Sequence, residues 1–78
     1  MEAIWSNDAT GNFIFSEPPA GLANAKVRDW WRKAITGQMF VSPVYVSAIT
    51  RKPCLTVSVP IIENNYVVGV IGADIGLE

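Results

Sequence analysis

The 78 residues carry six basic and seven acidic side chains, a formal net charge of −1, and no histidine. A chain of this length forms one domain at most and buries only about 60% of the surface its unfolded form exposes, enough for one sheet with one or two helices on it. With no basic surplus to hold a phosphate backbone the composition argues against nucleic acid as a partner, and without histidine the commonest general base and metal ligand are both missing.

Half of the residues are hydrophobic and 17% are charged, which reads as a globular domain and not a disordered one. Cys54 is the single cysteine, so neither an internal disulfide nor a thiolate metal cluster is available. It lies in an apolar strand pattern and reads as a small buried hydrophobe. Met1 to Ser6 lacks the basic and long apolar regions of a signal peptide. The longest apolar run, Tyr66 to Leu77, is too short to span a bilayer and contains Asp74 and three glycines. Both ends look like structured sequence, which suggests a piece of a longer protein.

In chain order, Ile4–Trp5 and Phe13–Phe15 flank the turn-rich stretch Asn7-Asp8-Ala9-Thr10-Gly11-Asn12 and predict a β-hairpin. Pro18-Pro19-Ala20-Gly21 then breaks the chain, so no helix is expected before Ala23. The spacing predicts one helix over Val27–Thr36, with Val27, Trp30, Trp31, Ala34 and Ile35 as its apolar stripe and Asp29, Arg32 and Lys33 opposite. Gly37 is its expected stop. Strands are expected at Phe40–Ala48, Cys54–Ile62 and Tyr66–Leu77. Thr50-Arg51-Lys52-Pro53 separates the first two, and Glu63-Asn64-Asn65 turns tightly between the last two. Pro43 and Pro60 mark strand ends, edges or bulges. The expected fold is α+β: an antiparallel sheet of about five strands with one main helix between strands 2 and 3.

Asp74 is the most informative residue, a carboxylate inside an otherwise apolar strand. Alternation places it on one face with Val68, Val70, Gly72 and Gly76, so glycines flank it. A carboxylate there needs a partner. Backbone donors or Arg28 satisfy that need structurally; a cationic or amine ligand satisfies it functionally. Arg28 falls at the edge of the apolar stripe beside Trp31 and Ile35. It offers either a guanidinium fork for a carboxylate or an ordinary surface charge with its stem over indole. Trp30 and Trp31 are 100° apart on the helix, and each reads as core or as a ring with a donor for a ligand. Tyr45 carries the same two readings. Thr56 and Ser58 alternate with Leu55, Val57 and Val59, which fits a polar site or solvent exposure equally. No histidine is available to activate a serine or Cys54, Asp74 has no obvious second carboxylate partner for acid–base work, and Gly69-x-x-Gly72 lies in a strand and lacks the context of a phosphate loop.

Taken in order, these stretches resemble the Cache family of PAS-like bacterial sensor domains, found in methyl-accepting chemotaxis receptors, histidine kinases and diguanylate cyclases. The matching segments are Asp8 to Phe15 as the first hairpin and Arg28-Asp29-Trp30-Trp31-Arg32-Lys33-Ala34 as the R-x-W-Y-x-x-A segment. Ser42-Pro43-Val44-Tyr45, Leu55 to Pro60, and Gly69-Val70-Ile71-Gly72-Ala73-Asp74-Ile75 match the strands that follow. The resemblance implies a ligand pocket in which Arg28 and Trp30 hold a carboxylate and Trp31, Tyr45 and Asp74 face an amino group. Trp31 stands where the family has tyrosine, and Ala23 where amino-acid-binding members have another, so two amine-facing hydroxyls are missing. An α-amino acid, another small carboxylate, an amine or a modified nucleobase are the ligands this leaves open.

The resemblance further implies an extracytoplasmic input domain of a membrane receptor, with no catalytic residue, metal or cofactor. It allows a homodimer, and contact with the membrane only through flanking segments. Two alternatives remain beside it: a degenerate module that binds nothing and serves as spacer or dimerisation unit, and an enzyme or cofactor-binding cytosolic PAS domain.

Overall fold

A computed structural model describes residues 1–19, 21, 24–46 and 51–77. The first two apolar runs pair as an antiparallel hairpin, β1 (Ala3–Asp8) with β2 (Phe13–Glu17). Its turn is organised by Asp8, whose Oδ1 accepts from the Thr10 backbone N–H at 2.9 Å, the Thr10 hydroxyl at 2.8 Å and the Asn12 backbone N–H at 2.9 Å. The Thr10 hydroxyl and these N–H groups outweigh desolvation and hold the Asp8 carboxyl below the usual carboxylate range. Asn24 braces the same turn, donating to the Thr10 carbonyl and to Asn12 Oδ1.

The helix is shorter than the sequence pattern predicts. α1 spans Asp29–Ala34, and Arg28 is extended at its N-cap (φ −92°, ψ 134°). Val27, expected on the apolar stripe, lies ahead of the helix and is exposed. A turn closed by the Arg28 N–H on the Ala25 carbonyl occupies that stretch instead. Gly37 ends the segment as expected, with φ 95° and its N–H on the Ala34 carbonyl at 2.9 Å. Six residues are too few for a self-supporting helix. Its stability comes from Trp31 and Ala34, which form the buried core with Ala25 and Val70. Ser58 Oγ also donates to the Trp30 carbonyl at 2.7 Å and ties the helix to the sheet.

The expected strand Phe40–Ala48 divides into β3 (Phe40–Val41) and β4 (Tyr45–Val46), both paired with β5 (Pro53–Glu63). Pro43 has no N–H to continue the ladder. Ser42 bridges the break: its N–H reaches the Thr56 carbonyl and its Oγ accepts from the Thr56 N–H, both at 2.8 Å. The division makes six strands where about five were expected. Ala48 and Thr50, within the expected strand and the turn after it, lie outside the described residues, as does Ala23. β5 and β6 (Tyr66–Gly76) form the long hairpin, turned by Asn64 and Asn65 at φ 52° and 68°. Pro60 lies past the last β3 partner, Phe40 opposite Ser58, where β5 has no further neighbour on that side.

The strands run β2-β1-β6-β5-β3, with β4 also on β5. This is an antiparallel, PAS-like α+β arrangement with α1 between the second and third strands. On the face that α1 covers, successive cross-strand rows read Asn7–Val70, then Trp5–Gly72–Ser58–Phe40, then Ala3–Asp74–Thr56.

Candidate functional site

A cavity of about 690 Å³ opens between the covered sheet face, the start of α1 and the β3–β4 connection. Its floor is the row Ala3, Asp74 and Thr56, where a small side chain leaves the carboxylate uncovered. Trp5, Phe13, Trp30 and Phe40 make an aromatic wall on one side, and Ser42, Pro43 and Tyr45 close the other. Arg28 and Asp29 stand at the mouth.

At the floor three side chains form a directed relay. Thr56 Oγ1 donates to Asp74 Oδ1 at 2.6 Å, and the hydroxyls of Tyr45 and Thr56 lie 2.9 Å apart. A threonine hydroxyl has one proton, so with Thr56 donating to Asp74 the Tyr45 hydroxyl must donate to Thr56. Tyr45 also reaches Asp74 Oδ1, weakly, at 3.4 Å. Burial, together with the nearby Cys54 thiol and Asp74 carboxylate, raises the Tyr45 phenol above its ordinary value despite the Thr56 bond. The phenol therefore keeps its proton throughout the neutral range, and the direction of the relay is fixed. Both hydroxyl protons point inward along the relay. What the relay leaves unused is acceptor capacity: the phenol lone pairs and Asp74 Oδ2, which has no hydrogen-bond partner among the described residues. A floor whose spare capacity is all acceptor is matched by a donor, and most strongly by a cationic one.

Donors stand across the cavity. The Arg28 guanidinium is exposed and makes no hydrogen bond or ion pair among the described residues. Trp30 is half-buried, with its ring tilted against Trp5 at 5.1 Å and edge-on to Phe13 at 6.3 Å. Its indole N–H likewise has no partner among the described residues. The structure thus brings Arg28, Trp30, Tyr45 and Asp74 to one cavity. Trp31 is the correction: it is absent from the lining and packs into the core, with its Nε1–H donating to the Asp8 carbonyl at 3.3 Å. The 100° between adjacent tryptophans sends one ring to the cavity and the other to the core.

Sequence reasoning left Thr56 undecided between site and solvent; it is 5% exposed and central to the relay. Trp5, Phe13 and Phe40 were read only as strand residues, although Ala3, Trp5 and Asn7 share an alternating face that could have placed Trp5 inside. Ser16 carried no sequence signal for the cavity it helps to line, and Ser42 entered only as the first residue of the Ser42-Pro43-Val44-Tyr45 segment. Among the described residues no group of three or more His, Cys, Asp or Glu side chains is placed to hold a metal ion, and no helix is long and apolar enough to cross a membrane.

Comparison with known proteins bears on the family and the fold. The family model for the methyl-accepting chemotaxis protein-like, first PDC sensor domain matches residues 12–78. The ligand-binding domain of the Pseudomonas aeruginosa PAO1 amino acid chemoreceptor PctC, in complex with GABA, is 26% identical with a TM-score of 0.78, over 97% of this chain and 36% of that one. The ligand-binding domain of the Pseudomonas fluorescens chemoreceptor CtaA, in complex with L-serine, is 26% identical with a TM-score of 0.69, over 95% of this chain and 34% of that one. The sensor domain of the Vibrio cholerae histidine kinase DctB shares the fold, with a TM-score of 0.76 at 20% identity. The chain thus spans about a third of the length of these solved structures. A citrate (Re)-synthase of Syntrophus aciditrophicus is 42% identical over 53 residues, 65% of this chain but 8% of that protein.

Proposed function

Since the chain belongs to the family of methyl-accepting chemotaxis protein-like first PDC sensor domains, we propose that it is the small-molecule input module of a chemotaxis receptor and takes a ligand bearing an ammonium group and a carboxylate. The ammonium sits against Asp74 Oδ2 and the Tyr45 phenol oxygen; the carboxylate meets the Arg28 guanidinium and the Trp30 indole N–H. GABA and L-serine, the ligands of the PctC and CtaA domains, each carry one group of each kind. The observation that carries the reading is the relay from Tyr45 through Thr56 to Asp74, which uses both hydroxyl protons internally and leaves its spare capacity as acceptors.

In this reading the domain is part of a longer membrane receptor and lies outside the cytoplasm. Ligand binding shifts a conformational population, and flanking segments pass the shift to an output domain. Sensing needs no bond to be made or broken, so the module is not an enzyme.

A second reading, a non-binding spacer or dimerisation module, draws support from Trp31, which stands where the family has an amine-facing tyrosine and here faces the core. A thermal-shift screen of amino acids, small carboxylates and amines separates the two, because a true ligand raises the unfolding midpoint by mass action. Asp74→Ala and Arg28→Ala are each expected to abolish the shift while the circular dichroism stays native. A shift retained in either variant contradicts the assigned pocket.

A further inference from the structure

Trp5 and Gly72 face each other across β1 and β6. A β-carbon on Gly72 would fall on Nε1, Cε2 and Cζ2 of the Trp5 indole. The ring therefore lies over bare backbone, in space that any other residue at position 72 would occupy. Trp5 is only 7% exposed, and its Nε1–H has no hydrogen-bond partner among the described residues. Among the described residues it is held there by packing, against Gly72 beneath and Trp30 at 5.1 Å.

Its place in the row pattern gives it a role. The row on one side of Trp5–Gly72 contains Asp74; the row on the other contains Val70, which is fully buried in the core. The indole is thus the partition between the cavity and the core. From Asp74 to Gly72 the strand advances about 6.6 Å, two residues at roughly 3.3 Å each. A ligand anchored by its ammonium at Asp74 that extends along β6 meets the indole within that distance.

We propose that Trp5 is the specificity-determining residue for ligand length: it limits the site to short ammonium-bearing ligands, and a smaller side chain at position 5 admits longer ones. This rests on the reading of Asp74 as the ammonium anchor. Gly72 is then a positioning residue, acting on the ligand only through the indole that it accommodates.

The test is calorimetric titration with the series glycine, β-alanine, GABA, 5-aminovalerate and 6-aminohexanoate. Wild type, Trp5→Leu and the milder Trp5→Phe are compared, each first shown to be folded by circular dichroism. The wild type is expected to bind with an optimum at a short chain length. Trp5→Leu should move that optimum at least one methylene longer, with a change in relative affinity of about tenfold or more per methylene. Trp5→Phe should move it less, and it carries the test if the leucine variant does not fold. An unchanged optimum in the variants, including a uniform loss across the series, overturns the proposal and leaves the ammonium site standing. A wild type that binds no member of the series overturns the ammonium reading and the role of Trp5 with it.

Discussion

On the face that α1 covers, the sheet holds Asn7, Thr56 and Ser58, each at most 5% exposed, whereas its other face shows Ile4, Phe15, Val41, Ile71 and Ile75 at 38–54% exposure. The usual half-covered antiparallel sheet is apolar inward and polar outward; Trp5, Cys54 and Val70 follow that rule on the covered face, and the three polar residues beside them do not. A buried hydroxyl has to be hydrogen-bonded to be tolerated, and here each bond has a purpose. Ser58 fastens the helix and Thr56 directs the relay. Of the three polar residues only Thr56 lines the cavity, while the other face has the apolar character of surfaces that proteins cover.

Substitutions along β5 and β6 test how different the two faces are. The largest effect is expected from Gly72→Val on the covered face, where the new side chain must displace the Trp5 indole. A loss of about 3 kcal/mol in urea unfolding is expected for this overpacking, and an unchanged midpoint would mean that the indole moves freely. Thr56→Val keeps the shape but removes the donor to Asp74 and the acceptor for Tyr45. It should cost about 2 kcal/mol and weaken ligand binding, and Thr56→Ser should restore both. The smallest effect is expected from Ile71→Lys on the open face, within about 0.5 kcal/mol of wild type and with unaltered ligand affinity. A large loss there would show that the two faces are more alike in energy than their exposure indicates.

Much of this was legible in the chain. A lone carboxylate in an apolar alternating strand, flanked by glycines, singled out Asp74, and the same alternation placed Val70 and Gly72 on its face. The partner of Asp74 was not legible, for a reason that lies in the hairpin. Counted back from the Asn64-Asn65 turn, Glu63 opposes Tyr66 and Ile62 opposes Val67, a register that would set Thr56 opposite Ala73. A bulge at Val68 adds one residue to β6, so Ile61 opposes Gly69 and Thr56 opposes Asp74. One residue of register decides whether the hydroxyl and the carboxylate meet.

The helix shows the same limit. Its periodicity located the two tryptophans but not which ring would face the cavity. Its start was misplaced because the turn between Ala25 and Arg28 depends on a tertiary bond, from the Ala25 N–H to the Gly11 carbonyl.

The most direct test of the acceptor-lined site is calorimetric titration of wild type and Asp74→Asn with GABA, butyrate and butylamine. The three share a four-carbon chain and differ in carrying both charged groups, the carboxylate alone or the ammonium alone. The account predicts that GABA binds the wild type, that butylamine binds more weakly, that butyrate fails, and that Asp74→Asn loses both amine-bearing ligands. Binding of butyrate as tight as that of GABA, or GABA affinity unchanged in Asp74→Asn, would contradict it.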